Sequence, residues 1–213
     1  MKQFEKPAFK TATYDLDSFH GKFVMEPLER GFCITLGNAL RRVLLSSLPG
    51  ASVYAIQVDG ARHEFSALDG VEEDVTTIIL NIKDLVLKIT SEDDDTPKLL
   101  TIDVKGPKTV TAADIQLPSD VEVIKKDLFI ANVAEGGNLK MVLHARKGRG
   151  FVTSEENKRI TEFPLGTIPT DSFYSPIVKV NYEVEPTRVG HNSNYDRLVL
   201  EVWTNGSMLP QDA

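Results

Sequence analysis

Residues able to do acid–base or metal chemistry are few and scattered in this chain. The histidines are His20, His63, His144 and His191. No two stand at H-x-x-x-H or H-E-x-x-H spacing, which would bring two imidazoles to one helix face around a metal. His63 precedes Glu64. An imidazole beside a carboxylate could form a general base, but an isolated pair between strand-like segments reads more simply as a surface hydrogen bond. The run Glu92-Asp93-Asp94-Asp95 offers oxygen ligands for a hard cation. It lacks the EF-hand spacing and is closed by Pro97, so a solvated loop tip is expected. A metal-dependent hydrolase built from these acids and His63 is the rival functional reading. The one cysteine, Cys33, excludes an internal disulfide and a metal site made of thiolates. Phosphate-loop, dinucleotide and nucleophile-elbow patterns are absent. Gly136-Gly137 and the glycines of KGRG, Lys147–Gly150, read as hairpin turns. The expectation is a chain with no catalytic residues, no metal and no cofactor.

Recognition chemistry is better represented. The stretch LERGFCITLGNALRRVLLSS runs from Leu28 to Ser47. Projected at 100° per residue from Thr35 onward, Leu36, Ala39, Leu40, Val43 and Leu44 share an arc of about 140° and form the face expected to be buried. Asn38, Arg41, Arg42 and Leu45 fall opposite. A leucine between arginines on the outward side departs from a plain solvent face. A lone exposed leucine is common and paired arginines contribute little when solvated. An apolar residue rimmed by arginine is also the composition of binding hot spots. Thr35 suits an N-cap, Gly37 and Ala39 would admit a close neighbour, and Pro49-Gly50 stops the helix.

The elements that must position these residues are mostly strands. KFVMEPL, ASVYAIQVDG, KLLTIDVKG, VEVIK, LFIANV, LKMVLHARKG, PIVKVNYEVEP and DRLVLEVWTNG alternate apolar and polar residues between turn signals. A second helix is expected over Val71–Lys83, with Glu72, Glu73 and Asp74 at its start; its β-branched run leaves a strand as the alternative. SEDDDTP, EGGN, EENKR and GHNSN read as loops. After Asn205-Gly206, the residues Pro210, Gln211 and Asp212 look like the first turn of a helix. The class is α+β and strand-rich.

The composition is that of an ordinary globular protein of 213 residues, 41% apolar and 26% charged. No apolar run approaches the roughly 20 residues of a membrane span, and MKQFEKPAFK lacks the apolar core of a signal peptide. With one cysteine, these features point to the cytoplasm. The net charge of −7 argues against a dedicated nucleic-acid binder. KGRG and Lys125-Lys126 are short basic spots only.

MEPLERGFCITLGNALRRVLLSSLPG resembles the LEPLERGxxxTLGNxLRRxLLSSxPG pattern of the alpha subunit family of bacterial DNA-directed RNA polymerase. The similarity continues through IQVDGARHEFSALDGVEEDV, VKGPKTVTAADI, ARKGRGFV, FYSPIVKVNYEVEPTRVG and LVLEVWTNG, in order along nearly the whole chain. The resemblance implies two subdomains. A discontinuous dimerisation and assembly subdomain comprises residues 1–49 and 175–213, and a mostly β subdomain, 50–174, is inserted in it. It also implies a non-catalytic scaffold, a homodimer that binds the beta and then the beta-prime subunit while the nucleotidyl transfer belongs to those large subunits.

By the same resemblance, Phe32, Leu36, Leu40 and Val43 match the dimer interface. Asn38, Arg41, Arg42 and Leu45 match the beta-binding side of the helix, Arg42 being its main determinant. His63 and Glu64, in HEF, match an insert segment near beta. Lys83, Thr170 and Ile177 align with the beta-prime side. Trp203, in LEVWTNG, departs from the family pattern. The family continues after T-N-G with a long helix, a linker and a DNA-binding domain. Their absence here leaves an engineered fragment or an unusually short natural product, and promoter contact is not expected of these residues.

Overall fold

The computed structural model describes residues 6–15, 18–91 and 96–213. The amino-terminal part carries β1 (Ala8–Asp15), β2 (His20–Glu29), α1 (Phe32–Ser47) and β3 (Pro49–Val58). There follow α2 (Val75–Lys83), β4 (Leu87–Ile89), β5 (Lys98–Lys105), β6 (Lys108–Thr111), β7 (Val121–Val123) and β8 (Phe129–Val133). The last part carries β9 (Asn138–Arg149), β10 (Phe151–Val152), α3 (Ser154–Ile160), β11 (Thr167–Pro169) and β12 (Ser172–Phe173), then β13 (Ile177–Val189) and β14 (Asn192–Thr204). The strand-rich α+β class is observed, with strands at all eight stretches where alternation predicts them.

The chain divides into two compact units, Met1–Leu48 with Ser175–Ala213, and Pro49–Tyr174. The first unit is an antiparallel sheet of order β1-β2-β14-β13 with α1 against β13, β14 and β2. Leu44 of α1 is buried with Phe23, Ile177, Val180, Leu200 and Val202. Cys33, one helical stripe earlier, is buried with Leu28 and Leu198. Gly37 lies between them because a ring occupies the space of a side chain: a Cβ there would come within 2.5 Å of the Tyr182 ring of β13. On β14, Trp203 faces His20 of β2 and Lys179 of β13 in register. The indole stacks on the His20 ring with centroids 4.5 Å apart, and the Lys179 ammonium lies 4.7 Å from its centre.

The second unit is a sheet of order β5-β9-β3-β4-β7, with β11 also paired to β3, and two smaller pairs, β6-β8 and β10-β12. One large apolar cluster fills it, including Ile56, Ile78, Leu100, Ile102, Ile130 and Leu143. The spacing of α2 explains its docking: Val75, Ile78 and Ile82 are its buried residues, on one helical face. Asp74 caps it, its carboxylate accepting the Thr77 amide at 2.8 Å.

Several expectations are corrected. Helix α1 begins at Phe32, so Thr35 lies inside it and is no N-cap. Gly31, at φ 87°, turns the chain into the helix, and its amide donates to Asp196 of β14 at 3.0 Å. The arc expected to be buried is divided: Leu44 is buried, Leu36 and Leu40 are half-buried, and Ala39 and Val43 are exposed. Helix α2 starts at Val75 rather than Val71, and its β-branched run is helical. EENKR lies within α3 rather than in a loop. In GHNSN the last three residues belong to β14. Pro210–Asp212 form a turn, closed by the Asp212 amide on the Leu209 carbonyl at 3.0 Å.

Candidate functional site

Helix α1 presents three stripes. Cys33, Gly37 and Leu44 face the core. Phe32, Leu36, Ala39 and Val43, at helical spacing of four, three and four, make an apolar stripe on one flank. Phe32 is 58% and Val43 54% exposed, Ala39 is exposed and Leu36 half-buried. Leu40 lies between this stripe and the core. Asn38, Arg41 and Arg42 are exposed on the other flank, with Leu45 38% exposed among them. Burying a large aliphatic side chain contributes roughly 1.5–3 kcal/mol, so an uncovered apolar stripe beside a satisfied one has the character of an association surface. The arginine flank has the composition of a second one.

The Cys33 thiol is buried, and burial, then the nearby Asp196 carboxylate, pushes its pKa upward. This disfavours the reactive thiolate and leaves Cys33 as a small apolar core residue.

In the second unit, α2, α3 and β11 enclose an open cleft of about 410 Å³ that brings Glu64, Lys83 and Thr170 together. Phe65, 76% exposed, and Leu80 give it an apolar rim. Lys83 donates to Asp171 at 2.9 Å. The second carboxylate oxygen of Asp171 accepts the Ser154 amide at 2.9 Å. The bond from Lys83, aided by the Ser154 amide, holds the Asp171 carboxyl below the usual range. Asp171 thus ties the end of α2 to the start of α3.

His63 and Glu64 do not form a dyad. The His63 Nδ1 lies 3.3 Å from Ser66 Oγ, and the Glu64 carbonyl accepts the Thr76 hydroxyl at 2.8 Å. Thr170 is buried on the cleft floor, its amide on the Tyr54 carbonyl at 2.9 Å. Ile177 is 2% exposed, in the core beneath α1 of the first unit. Its side chain offers no surface there. Among the described residues no three His, Cys, Asp or Glu side chains come together around a cation position. Glu92–Asp95 lie outside the described residues.

Sequence reasoning missed Arg146, Asn157 and Asp171. Asn157 and Arg146 join in a hydrogen bond of 2.6 Å behind α3. A signal for that helix was present: Thr153 and Glu156 stand at capping-box spacing, and the Thr153 hydroxyl accepts the Glu156 amide at 3.3 Å. His144, on the same face of β9 as Arg146, has its ring 6.1 Å from that of Tyr54. Its buried Nε2 has no hydrogen-bond partner, and burial lowers its pKa.

Comparison with known proteins identifies the relationship. Residues 56–175 match the family model of the RNA polymerase Rpb3/RpoA insert domain. The whole chain is 55% identical to the DNA-directed RNA polymerase subunit alpha of Staphylococcus saprophyticus, spanning 67% of that protein. Identity and span are the same for the proteins of that name from Macrococcus caseolyticus and Staphylococcus aureus. No described helix is long and apolar enough to cross a membrane.

Proposed function

The chain belongs to the RNA polymerase alpha subunit family, and from that premise we propose that it is a non-catalytic assembly subunit of bacterial DNA-directed RNA polymerase. Two copies pair through the Phe32, Leu36, Leu40 and Val43 flank of α1. Each copy then offers the Asn38, Arg41, Arg42 and Leu45 flank outward, and the dimer takes up the beta subunit and then beta-prime. The protein works in the cytoplasm, and nucleotide chemistry belongs to the large subunits.

The observation that carries this reading is the three-stripe division of α1. A helix serving only its own core needs one apolar stripe. This one has a second, exposed at Phe32 and Val43, and opposite it an arginine pair around Leu45. A single rigid element between both contacts would couple pairing to capture of the large subunit.

The cleft of the second unit is a further contact with the large subunits. His63, Glu64 and Phe65 approach from the beta side, and Lys83 from the beta-prime side. Thr170, buried on the floor of the cleft, supports that surface from within, and Ile177, buried beneath α1, supports the helix of the first unit.

Arg42 provides the test. In a desolvated hot spot, Arg42→Ala should cost about 2 kcal/mol or more in affinity for the beta subunit, while circular dichroism and melting stay unchanged. Arg42→Lys should recover only part of this, because the planar guanidinium fork is lost. Lys125→Ala is the control for a generic loss of positive charge. Small, equal losses at Arg42 and Lys125 in a co-purification titration would remove the arginine flank from the beta contact.

A further inference from the structure

Helix α3 is held in place in an uncommon way. Among its seven residues the one buried side chain is polar, Asn157, at 0% exposure. The helix has no apolar face, so hydrophobic burial contributes little to its docking. Directed hydrogen bonds do the work. The Asn157 amide donates to the Thr170 carbonyl at 2.8 Å and to Ser172 Oγ at 3.0 Å. Its oxygen accepts Arg146 Nη2 at 2.6 Å. Ser172 Oγ donates to the Val53 carbonyl at 3.2 Å. Arg146 Nε donates to the Tyr174 hydroxyl at 2.9 Å, and the guanidinium carbon lies 4.6 Å from the centre of the Tyr54 ring. The three side chains that hold this guanidinium are all neutral.

Such a hub behaves differently from an apolar contact. Hydrogen bonds weaken steeply with angle and distance, and a buried amide left without partners is costly. An apolar helix can slide by an ångström and keep most of its burial, whereas α3 keeps its hub in one position only. That position makes Ser154, Glu155 and Lys158 one wall of the cleft.

We infer that Asn157 and Arg146 are positioning residues: their hub latches α3 as a wall of the cleft, and a large-subunit segment entering the cleft meets Glu155 and Lys158 only while the latch is closed. This rests on the reading of the cleft as a large-subunit contact. The dimer face of α1 does not depend on it.

Asn157→Asp tests the latch while preserving the size of the side chain. The new carboxylate still accepts from Arg146, but it has lost the donors that met the Thr170 carbonyl and Ser172 Oγ. Arg146→Lys, which removes the fork and keeps the charge, is the second variant should the first fail to fold. Hydrogen exchange of the whole chain should show the amides of residues 153–161 exchanging about tenfold faster or more, with β9 unchanged, the mark of a local opening. Retention of co-expressed beta and beta-prime subunits should fall by about the same factor, with the chain's own dimer intact. Unchanged exchange in α3 overturns the latch. Faster exchange with full retention, where Phe65→Ala lowers retention, overturns the positioning role alone. If Phe65→Ala and Lys83→Glu also leave retention unchanged, the cleft is no contact, and the inference falls with that reading.

Discussion

Val43 and Leu44 are neighbours on one helix with opposite environments, 54% and 7% exposed. Leu44→Ala removes a side chain enclosed by Phe23, Ile177, Val180, Leu200 and Val202. Such truncations cost about 2–5 kcal/mol. For a unit of this size each kcal/mol corresponds to roughly 4–8 °C in melting temperature, so its transition should fall by about 10 °C or more at every protein concentration. Val43→Asp removes a side chain already half in water, and the isolated chain should lose about 1 kcal/mol or less. Its effect should appear in association. A partner present at 100 times its dissociation constant adds about 2.7 kcal/mol to the folded state. The melting temperature of the unaltered protein should therefore rise across a hundredfold concentration range, and that of Val43→Asp should stay flat. Thermal scans paired with sedimentation velocity measure both quantities. The reasoning is refuted if Val43→Asp lowers the melting temperature as far as Leu44→Ala at the lowest concentration and the two remain parallel on concentration.

Three further outcomes are expected. Because the Lys83 bond and the Ser154 amide hold the Asp171 carboxyl low, its contribution is fully present above the ordinary carboxylate pKa of about 3.9 and is lost as pH falls through the depressed value. Asp171→Asn should flatten the acid limb of a urea-unfolding series from pH 6 to 2.5, and parallel limbs would count against the clamp. Burial lowers the His144 pKa, so just below the ordinary histidine pKa of about 6.5 the folded state binds fewer protons than the unfolded chain and loses stability as pH falls. His144→Gln should remove that slope between pH 7.5 and 5.5, and a slope that survives would mean the histidine is not its source. Gly37→Ala would drive a methyl group to 2.5 Å from the Tyr182 ring and should cost about 1–3 kcal/mol in chemical denaturation, a loss that Tyr182→Ala should offset in part; full additivity of the two would show that they do not clash.

The eight alternating stretches were legible because each strand has one face in a core, and period-two burial leaves a direct trace. The start of α1 was not. The amide of its N-cap, Gly31, is met by Asp196, 165 residues further along the chain, and no local side chain caps it. The division of the α1 arc is not legible, because apolarity does not reveal which residues are buried in the chain's own core. Leu44 and Val43 look alike in sequence and differ only in what lies above them. Helix α3 was hidden for the opposite reason, since its anchor is Asn157 and a polar anchor leaves no hydrophobic period. The Arg146–Asn157 hub and the Asp171 clamp join residues 11 and 88 positions apart, contacts that follow from the fold and not from any local pattern. The arginine flank of α1 was fully legible, because Asn38, Arg41, Arg42 and Leu45 are neighbours within little more than two turns.

The stack of Trp203 on His20 under Lys179 also furnishes an intrinsic optical reporter. Trp203 is the only tryptophan in the sequence, and it belongs to the unit containing α1. Excited selectively, the emission of this half-buried indole will change when β2, β13 and β14 separate, the stack is lost and the ring becomes fully hydrated. The insert unit contains no indole and will stay dark in that channel. Two melting curves can therefore be separated in one unlabelled chain: emission follows the unit carrying α1, while far-ultraviolet dichroism follows both. A variant of α1 that moves the first curve alone acts within its own unit, and one that moves both reveals coupling between them.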